Sequence, residues 1–95
     1  MFNSCKGKPI VTNFQTTTQS QWNGQTITGT VNNLSSSRIS SIAVEFELVN
    51  DKYMVLQTVS ASSNDGIEPK GKWDFEIQAS MVGARSARLK NTIAR

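Results

Sequence analysis

The stretch Ile42-Ala43-Val44-Glu45-Phe46-Glu47-Leu48-Val49 decides the fold of this chain. Its strongly apolar residues recur at every second position, and on a β-strand a period of two places alternate residues on opposite faces. A helix would scatter the same apolar residues around its circumference, so the pattern favours a strand. We therefore predict a central strand whose buried face carries Ile42, Val44, Phe46 and Leu48.

Two further stretches alternate in the same way. Residues 25–32 alternate apolar residues with threonine, and residues 72–78 alternate apolar residues with charged ones. Strands of an antiparallel sheet with one face in the core and one face in water have this pattern. The three stretches predict a core made of Ile27, Val31, Ile42, Val44, Phe46, Leu48, Trp73, Phe75 and Ile77.

The remaining strand signals are weaker. Residues 10–18 are rich in β-branched side chains and follow Pro9, which is typical of an edge strand. Residues 53–59 contain four consecutive apolar residues, so their facing is ambiguous, and we expect Val55 to point inward. Residues 87–93 predict a closing strand with its cations facing solvent.

The connections between these strands carry turn signals. Asn23-Gly24 favours a tight type I′ hairpin turn. Residues 33–38 and 60–66 are polar and predict loops. Residues 79–86 predict a loop, because Gly83 disfavours a helical turn there. Six to seven short strands at this spacing predict an all-β antiparallel sandwich or small barrel.

Length and composition limit the organisation of the chain. The 95 residues fit one domain, so we expect a flexible tail over residues 1–8 and a single β-sandwich domain over residues 9–95. Ten Lys and Arg against seven Asp and Glu give a net charge of +3, which permits an anionic partner without requiring one. A lone cysteine, Cys5, cannot form a disulfide within the chain. No apolar run approaches the roughly 20 residues of a membrane helix.

The residue types argue against catalysis. The chain has no histidine, which removes the commonest general base and the commonest zinc ligand. Glu45 and Glu47 share one strand face as a carboxylate pair could, but solvated outward positions explain them better. The sequence has no Gly-rich phosphate loop, and its serines lack a supporting catalytic motif. We expect no enzymatic activity, no cofactor, no metal site and no small-molecule substrate.

The C-terminal segment offers a different interpretation, a small basic β-barrel that binds single-stranded nucleic acid through cations and stacked bases. Against it, Phe46, Trp73 and Phe75 fall on predicted buried faces, which leaves Tyr53, Trp22 and Phe14 as possible stacking platforms. The last eleven residues contain no acidic residue and four cations, which form the candidate basic patch: Arg85, Arg88, Lys90 and Arg95.

Three segments resemble the FxLYD domain family of bacterial proteins: residues 27–33, 44–50 and 67–75. Phe46 and Leu48 match the signature strand of that family, whereas Val49 and Asn50 replace its Tyr and Asp, and Lys70 is inserted in its later turn. The resemblance covers about residues 25–77. It implies an immunoglobulin-like sandwich of a cell-surface protein or lipoprotein, generally without known catalytic residues.

Two short motifs suggest modification. Phe2-Asn3-Ser4-Cys5 loosely resembles the site at which bacterial lipoproteins are cleaved and acylated. Cys5 is therefore either a lipid anchor or an ordinary free thiol. A lipid anchor on Cys5 is the one route to a membrane in this interpretation. Asn33-Leu34-Ser35 matches a glycosylation sequon, which has meaning only in a secreted eukaryotic protein.

These observations predict a non-catalytic binding or scaffolding module of a bacterial cell-envelope or secreted protein. We expect its partner to be a protein or a cell-wall polymer, contacted through exposed strand edges and the polar loops 33–41 and 60–66. Single-stranded nucleic acid is the first alternative partner. A structural role as an immunoglobulin-like domain of a virion or surface appendage is the second alternative.

Overall fold

Alternating burial along the chain produces six β-strands in residues 14–95, the part that the computed structural model describes, and this part contains no helix. The predicted tail 1–8 and the start of the first predicted strand lie outside the described residues. The strands are β1 (Thr16–Trp22), β2 (Thr26–Asn33), β3 (Ile42–Val49), β4 (Val55–Ser63), β5 (Lys72–Gln78) and β6 (Ser86–Ala94).

The strands form two antiparallel sheets, in the orders β1-β2-β5 and β4-β3-β6. The chain changes sheet between β2 and β3, between β4 and β5, and again between β5 and β6. The pairs β2-β5 and β3-β6 correspond to the B-E and C-F pairs of immunoglobulin sandwiches. The predicted all-β, immunoglobulin-like antiparallel sandwich is therefore confirmed.

The core lies between the inner faces of the two sheets. Phe46 on β3 meets Phe75 on β5 with ring centroids 5.7 Å apart, and Phe75 in turn meets Trp73 at 5.4 Å. Of the nine residues expected in the core, eight are buried and Trp73 is half-buried against them. Burial of each large apolar side chain contributes about 1.5–3 kcal/mol. The core also contains Ile39, Val49, Ile67 and Ala79.

Asn33 is the buried polar residue of residues 14–95, and its neighbour Leu34 is exposed. The sequence instead predicted a polar loop that begins at Asn33. Asn33 is instead the last residue of β2 and follows buried Val31 by two positions, so its side chain points inward. This burial also removes its amide from any glycosylation machinery.

Hydrogen bonds satisfy the buried amide completely. Its Nδ2 donates to the carbonyl oxygens of Ser37 at 2.8 Å, Ile67 at 3.0 Å and Glu68 at 3.2 Å. Its Oδ1 accepts from the backbone N–H of Ser35 at 3.0 Å. Because these partners lie in two different loops, Asn33 holds the two loops together in the interior.

The facing of β4 differs from the prediction. Leu48 pairs with Gln57 but Val49 pairs with Val55, so Leu56 is an extra residue that forms a β-bulge. The bulge reverses the phase of the strand, and Val55 is exposed instead of pointing inward. At its other end β4 continues to Ser63, so the first four residues of the predicted loop 60–66 belong to the strand.

The β1-β2 hairpin also differs in detail. The side chain of Asn23 accepts hydrogen bonds from the backbone N–H groups of Gln25 and Thr26, both at 2.8 Å. Gly24 has φ of 96°, whereas Asn23 has no positive φ. A type I′ turn requires positive φ at both central residues, so the predicted turn type is wrong, and glycine instead takes the first central position, as in a type II′ turn.

The chain enters β1 and leaves β6 at the same end of the sandwich, which we call the proximal end. There the N–H of Leu34 donates to the oxygen of Gln15, and the N–H of Ser40 donates to the oxygen of Arg95. Two crossover loops, residues 34–41 and 64–71, close this end. They are joined by the reciprocal backbone hydrogen bonds between Ile39 and Ile67, at 2.8 and 2.9 Å.

Three loops form the opposite end, the distal end: residues 23–25, 50–54 and 79–85. Backbone hydrogen bonds connect them. The N–H of Ala79 donates to the oxygen of Gln25 at 2.8 Å, and the N–H of Arg85 donates to the oxygen of Val49 at 2.7 Å. The loop 79–85 is therefore fixed at one end to the loop 23–25 and at the other end to β3.

The Asn33 network generates a stability prediction. In Asn33→Asp an acceptor replaces the amide donor and faces three carbonyl oxygens, so we expect a loss of about 3 kcal/mol in the free energy of unfolding. Urea denaturation measures this loss. Asn32→Asp, the same change on the neighbouring and less buried residue, is the control and loses under about 1 kcal/mol. Equal losses in both variants would contradict the role of the buried network.

Gly29 generates a second stability prediction. A Cβ added there would clash with the carbonyl oxygen of Gln19 and lie 2.5 Å from Cζ of Phe75. Gly29→Ala therefore forces the Phe75 ring out of its packing position, and we expect a destabilisation of about 2 kcal/mol in thermal or urea unfolding. Thr28→Ala on the exposed face of β2 is the matched control, and a smaller loss at Gly29 than at Thr28 would refute the packing argument.

Candidate interaction surface

The four C-terminal cations of the candidate basic patch are spread along one strand. Arg85 precedes β6 and Arg95 follows it, so the nine residues of the strand separate them by about 30 Å. Arg88 is paired with Glu47, with 3.0 Å between Nε and Oε1. Lys90 is the extra residue of a β-bulge, because Phe46 pairs with Leu89 and Glu45 pairs with Asn91. The cations therefore share a strand but do not form one cluster.

The aromatic side chains do not line a binding groove beside those cations. Trp73 and Phe75 pack in the core, and Phe14 packs partly against it. The indole Nε1 of Trp22 donates to the oxygen of Ala79 at 2.8 Å. Tyr53 is the aromatic residue of residues 14–95 that is mostly exposed. The arrangement gives the nucleic-acid interpretation no stacking platform next to its cations.

The carboxylates lie on the outer sheet faces with polar partners. Glu45 accepts from Nδ2 of Asn91 at 2.9 Å, and Asp74 accepts from Oγ1 of Thr30 at 2.6 Å. Residues 14–95 contain no group of three or more His, Cys, Asp or Glu side chains placed to hold a metal ion. An open groove of about 500 Å³ lies across the outer face of β1, β2 and β5.

Cys5, the candidate lipid anchor, lies outside the described residues. In the described part of the chain, no helix is long and apolar enough to cross a membrane.

The polar loops expected to form a contact surface are engaged within the protein. The guanidinium of Arg38 donates from Nε to Glu68 at 2.8 Å and from Nη2 to the oxygen of Asp65 at 2.8 Å. Nζ of Lys70 donates to the oxygen of Leu34 at 2.6 Å. These contacts tie the two proximal loops together. The larger exposed apolar surface lies at the distal end.

Exposed apolar side chains collect at the distal end. Eight large apolar residues are exposed in residues 14–95, and five of them lie in or beside two distal loops. The exposed fractions are largest for Val82 at 98% and Tyr53 at 74%. We call this set the apolar tip, and its members are Tyr53, Met54, Val55, Met81 and Val82.

Local hydrogen bonds build the first loop of the apolar tip. Oδ1 of Asn50 accepts from the backbone N–H of Lys52 at 2.8 Å and of Met54 at 3.0 Å. The backbone of Asn50 is also bonded to Tyr53 at 3.0 Å and to Met54 at 3.1 Å. Asn is well suited to such a turn, because its side chain bonds to the backbone two residues further on. The loop is therefore ordered although its apolar side chains face outward.

The second loop lies directly beside the first. The N–H of Ala84 donates to the oxygen of Met81 at 3.1 Å, which closes a turn with Val82 and Gly83 at its apex. Gly83 has φ of 90°, a conformation that glycine adopts without strain. A Cβ on Gly83 would lie 3.8 Å from Cδ1 of Leu56 on β4. Both loops thus present their apolar residues from one end of the sandwich.

Tyr53 adopts an unfavourable backbone conformation. Its φ of 63° lies in the left-handed region, where a bulky residue costs roughly 1–2 kcal/mol and where Asn or Gly is preferred. A strained and largely exposed tyrosine contributes little to the stability of the isolated domain. Strain of this kind concentrates at functional sites.

The apolar tip was not predicted from the sequence, for identifiable physical reasons. Residues 53–56 have the composition of a buried strand, and residues 81–82 stand in a segment without clear periodicity. The signal that could have revealed the tip is an apolar run that directly follows a polar turn, Asn50-Asp51-Lys52. Exposure of such a run depends on the bulge at Leu56, which periodicity alone does not predict.

No protein-family model, curated protein or solved structure matches this chain. The resemblance to the FxLYD family stays a prediction that rests on residues 25–77. The function is therefore inferred from the geometry of the apolar tip.

The strained backbone of Tyr53 generates a third prediction. Tyr53→Asn relieves the left-handed strain while the Asn50 hydrogen bonds remain, so we expect the free energy of unfolding to rise by about 1 kcal/mol. Met54→Asn, at a position without positive φ, is the control and gives no such gain. A stability of Tyr53→Asn at or below that of the native chain, in urea titration, would argue against strain at this position.

Proposed function

We propose that this protein is a non-catalytic binding module that contacts a partner protein through the apolar tip. The observation that carries the proposal is the collection of five exposed apolar side chains on two hydrogen-bonded loops at one end of the sandwich. Contiguous exposed apolar surface on a small domain marks an interaction site, whereas single exposed apolar residues do not.

The composition of the tip supports a protein partner. Tyr and Met are enriched in protein interfaces, and the tip offers Tyr53, Met54 and Met81. Asp51 and Lys52 supply charged residues at the margin, as in an interface with an apolar centre and a polar rim. Methionine side chains adapt to different partner surfaces, which suits a contact between proteins.

The placement of the tip also supports this role. Gln15 and Arg95 both lie at the proximal end, so whatever is joined to either of them is joined opposite the tip. A domain held by that end presents the tip outward. The fold supplies a rigid support for the two loops, which is how binding loops are carried on sandwich domains.

The setting of this module follows from the family resemblance. Similarity to FxLYD domains supports a bacterial cell-envelope or extracellular location, and it supports a scaffolding role. Of the two partner classes expected there, the tip favours protein over cell-wall polymer, because glycan chains present mainly hydroxyl groups and offer little to Met54, Met81 and Val82.

Photo-crosslinking tests the proposal. We expect p-benzoylphenylalanine at Val82, introduced into the full chain and irradiated in the source cells, to yield one discrete crosslinked protein. The same probe at Ser36, an exposed residue of a proximal loop, is the matched control and yields no such product. A Tyr53→Ser variant that carries the probe at Val82 loses at least tenfold in yield, because a buried interface tyrosine contributes about 2 kcal/mol or more.

Two results would contradict the proposal. One is an equal crosslinking yield from Ser36 and Val82, which indicates non-specific contact. The other is either the absence of a protein adduct at Val82 or an adduct whose yield Tyr53→Ser leaves unchanged.

A further inference from the structure

β4 is an edge strand with an unusual composition. Within the described residues it pairs with β3 alone, so one row of its backbone N–H and C=O groups lacks a strand partner. None of its nine residues is charged and none is proline. Natural proteins block open edges with charge, proline or bulges, and from Gln57 to the end of β4 none of these occurs.

The other edges of the described sandwich are better protected or less suited to pairing. β5 carries Lys72, Asp74 and Glu76 on its outer face. β6 carries two cations, and one of them, Lys90, forms a bulge. β1 is also uncharged, but the inner-facing residues at its centre, Thr18 and Ser20, are polar, whereas those at the centre of β4 are apolar.

We propose that β4 pairs with β4 of a second copy of this chain, antiparallel and about a two-fold axis at Ser60. The backbone of an edge strand fixes the class of occupant, because only another extended strand can satisfy its row of N–H and C=O groups. The side chains then select the occupant. Between Thr58 and Ser62 the outer-facing residues of β4 are hydroxyl-bearing. Its inner-facing residues are apolar at the centre, Val59 and Ala61, and polar at the two ends, Gln57 and Ser63.

Pairing about Ser60 matches like with like on both faces. It places Ser60 opposite Ser60 of the second copy, and Thr58 opposite Ser62, so hydroxyl groups meet on the outer face. It places Val59 opposite Ala61, so apolar side chains meet on the inner face. An axis at Val59 would instead set Gln57 against Ala61. No like charges oppose each other across the axis. An isologous interface requires this, because the same surface patch meets itself.

The neighbouring sheet supplies apolar surface next to the β4 edge, along the line where the two sheets meet; we call this line the seam. β5 lies against β4, and its Trp73 is half-buried on the core together with Val59 and Ala61 of β4. A second copy at the β4 edge brings its own Trp73 to the same seam, where both rings lose water contact. Burial of the remaining exposed part of this aromatic surface favours a second copy over an isolated extended peptide.

The resulting dimer has a continuous six-stranded sheet in the order β6-β3-β4-β4-β3-β6. Its two β4 strands run in opposite directions, so the two apolar tips point away from each other. This arrangement makes the module bivalent. The pairing of β4 does not depend on what the apolar tip binds.

Sedimentation equilibrium of the full chain tests the self-pairing. We expect a concentration-dependent mass that rises to twice the 10.4 kDa of the monomer. Ser60→Lys sets two cations against each other at the axis and weakens the dimer at least tenfold. Gln19→Lys, an added lysine on the β1 edge, leaves the dimer unchanged. Val82→Asp in the apolar tip also leaves it unchanged, so this result is separate from the proposed function.

Disulfide trapping tests the register, in a Cys5→Ser background with oxidised glutathione as oxidant. Ser60→Cys forms an intermolecular disulfide, because directly opposed residues have Cα atoms about 4.5–5.5 Å apart. Ser62→Cys, on the same strand and face, stays reduced, because its counterpart lies about 13 Å away along the strand.

Three outcomes would overturn the proposal. They are a monomeric mass at every concentration, open-ended aggregates in place of a dimer, and equally fast disulfide formation in Ser60→Cys and Ser62→Cys. Circular dichroism of each variant excludes misfolding as the cause of a lost dimer, since Ser60 and Ser62 are exposed.

Discussion

The contact between Phe46 and Phe75 across the two sheets is the interaction on which the rest of the structure depends. Phe46 stands in the middle of β3 and is fully buried, with its ring centroid 5.7 Å from that of Phe75. A strand with one ring fixed in the core has no freedom to slip by one residue, because a slip would move every side chain to the opposite face. The positions of β4 and β6, which both pair with β3, follow from this constraint.

The loops at the two ends of the sandwich are stabilised by different interactions. At the proximal end, Asn33 is buried and bonds to two loops, and Ile39 and Ile67 extend the core beneath them. At the distal end, hydrogen bonds from Asn50 order a loop whose apolar side chains remain in water. One end therefore contributes to the stability of the fold, and the other keeps apolar surface available for a partner.

The elements that sequence patterns predict well are those with one fully buried face. β2, β3 and β5 alternate over most of their length, because apolar side chains at every second position face the core; the exceptions stand at strand ends, Asn33 on β2 and Val49 on β3. The sequence could not reveal Asn33, since the burial of an amide depends on three carbonyl groups that folding alone brings together. It could not reveal the apolar tip either, because the composition of Tyr53 and Met54 is the same whether they face the core or water. Local patterns report the phase of a strand but not its partners.

The bulge at Leu56 separates two surfaces that a regular strand would have merged. In a regular ladder Leu56 would pair with Val49, Val55 would point toward the core, and a flat edge would run on to the β3-β4 turn. The bulge turns Val55 outward beside Tyr53 and increases the local twist, which ends the regular edge at Gln57. Residues 57–63 keep unpaired backbone groups and small side chains, whereas residues 53–55 keep exposed apolar side chains. One inserted residue thus places a surface suited to strand pairing beside a surface suited to side-chain recognition, and each can be changed without the other.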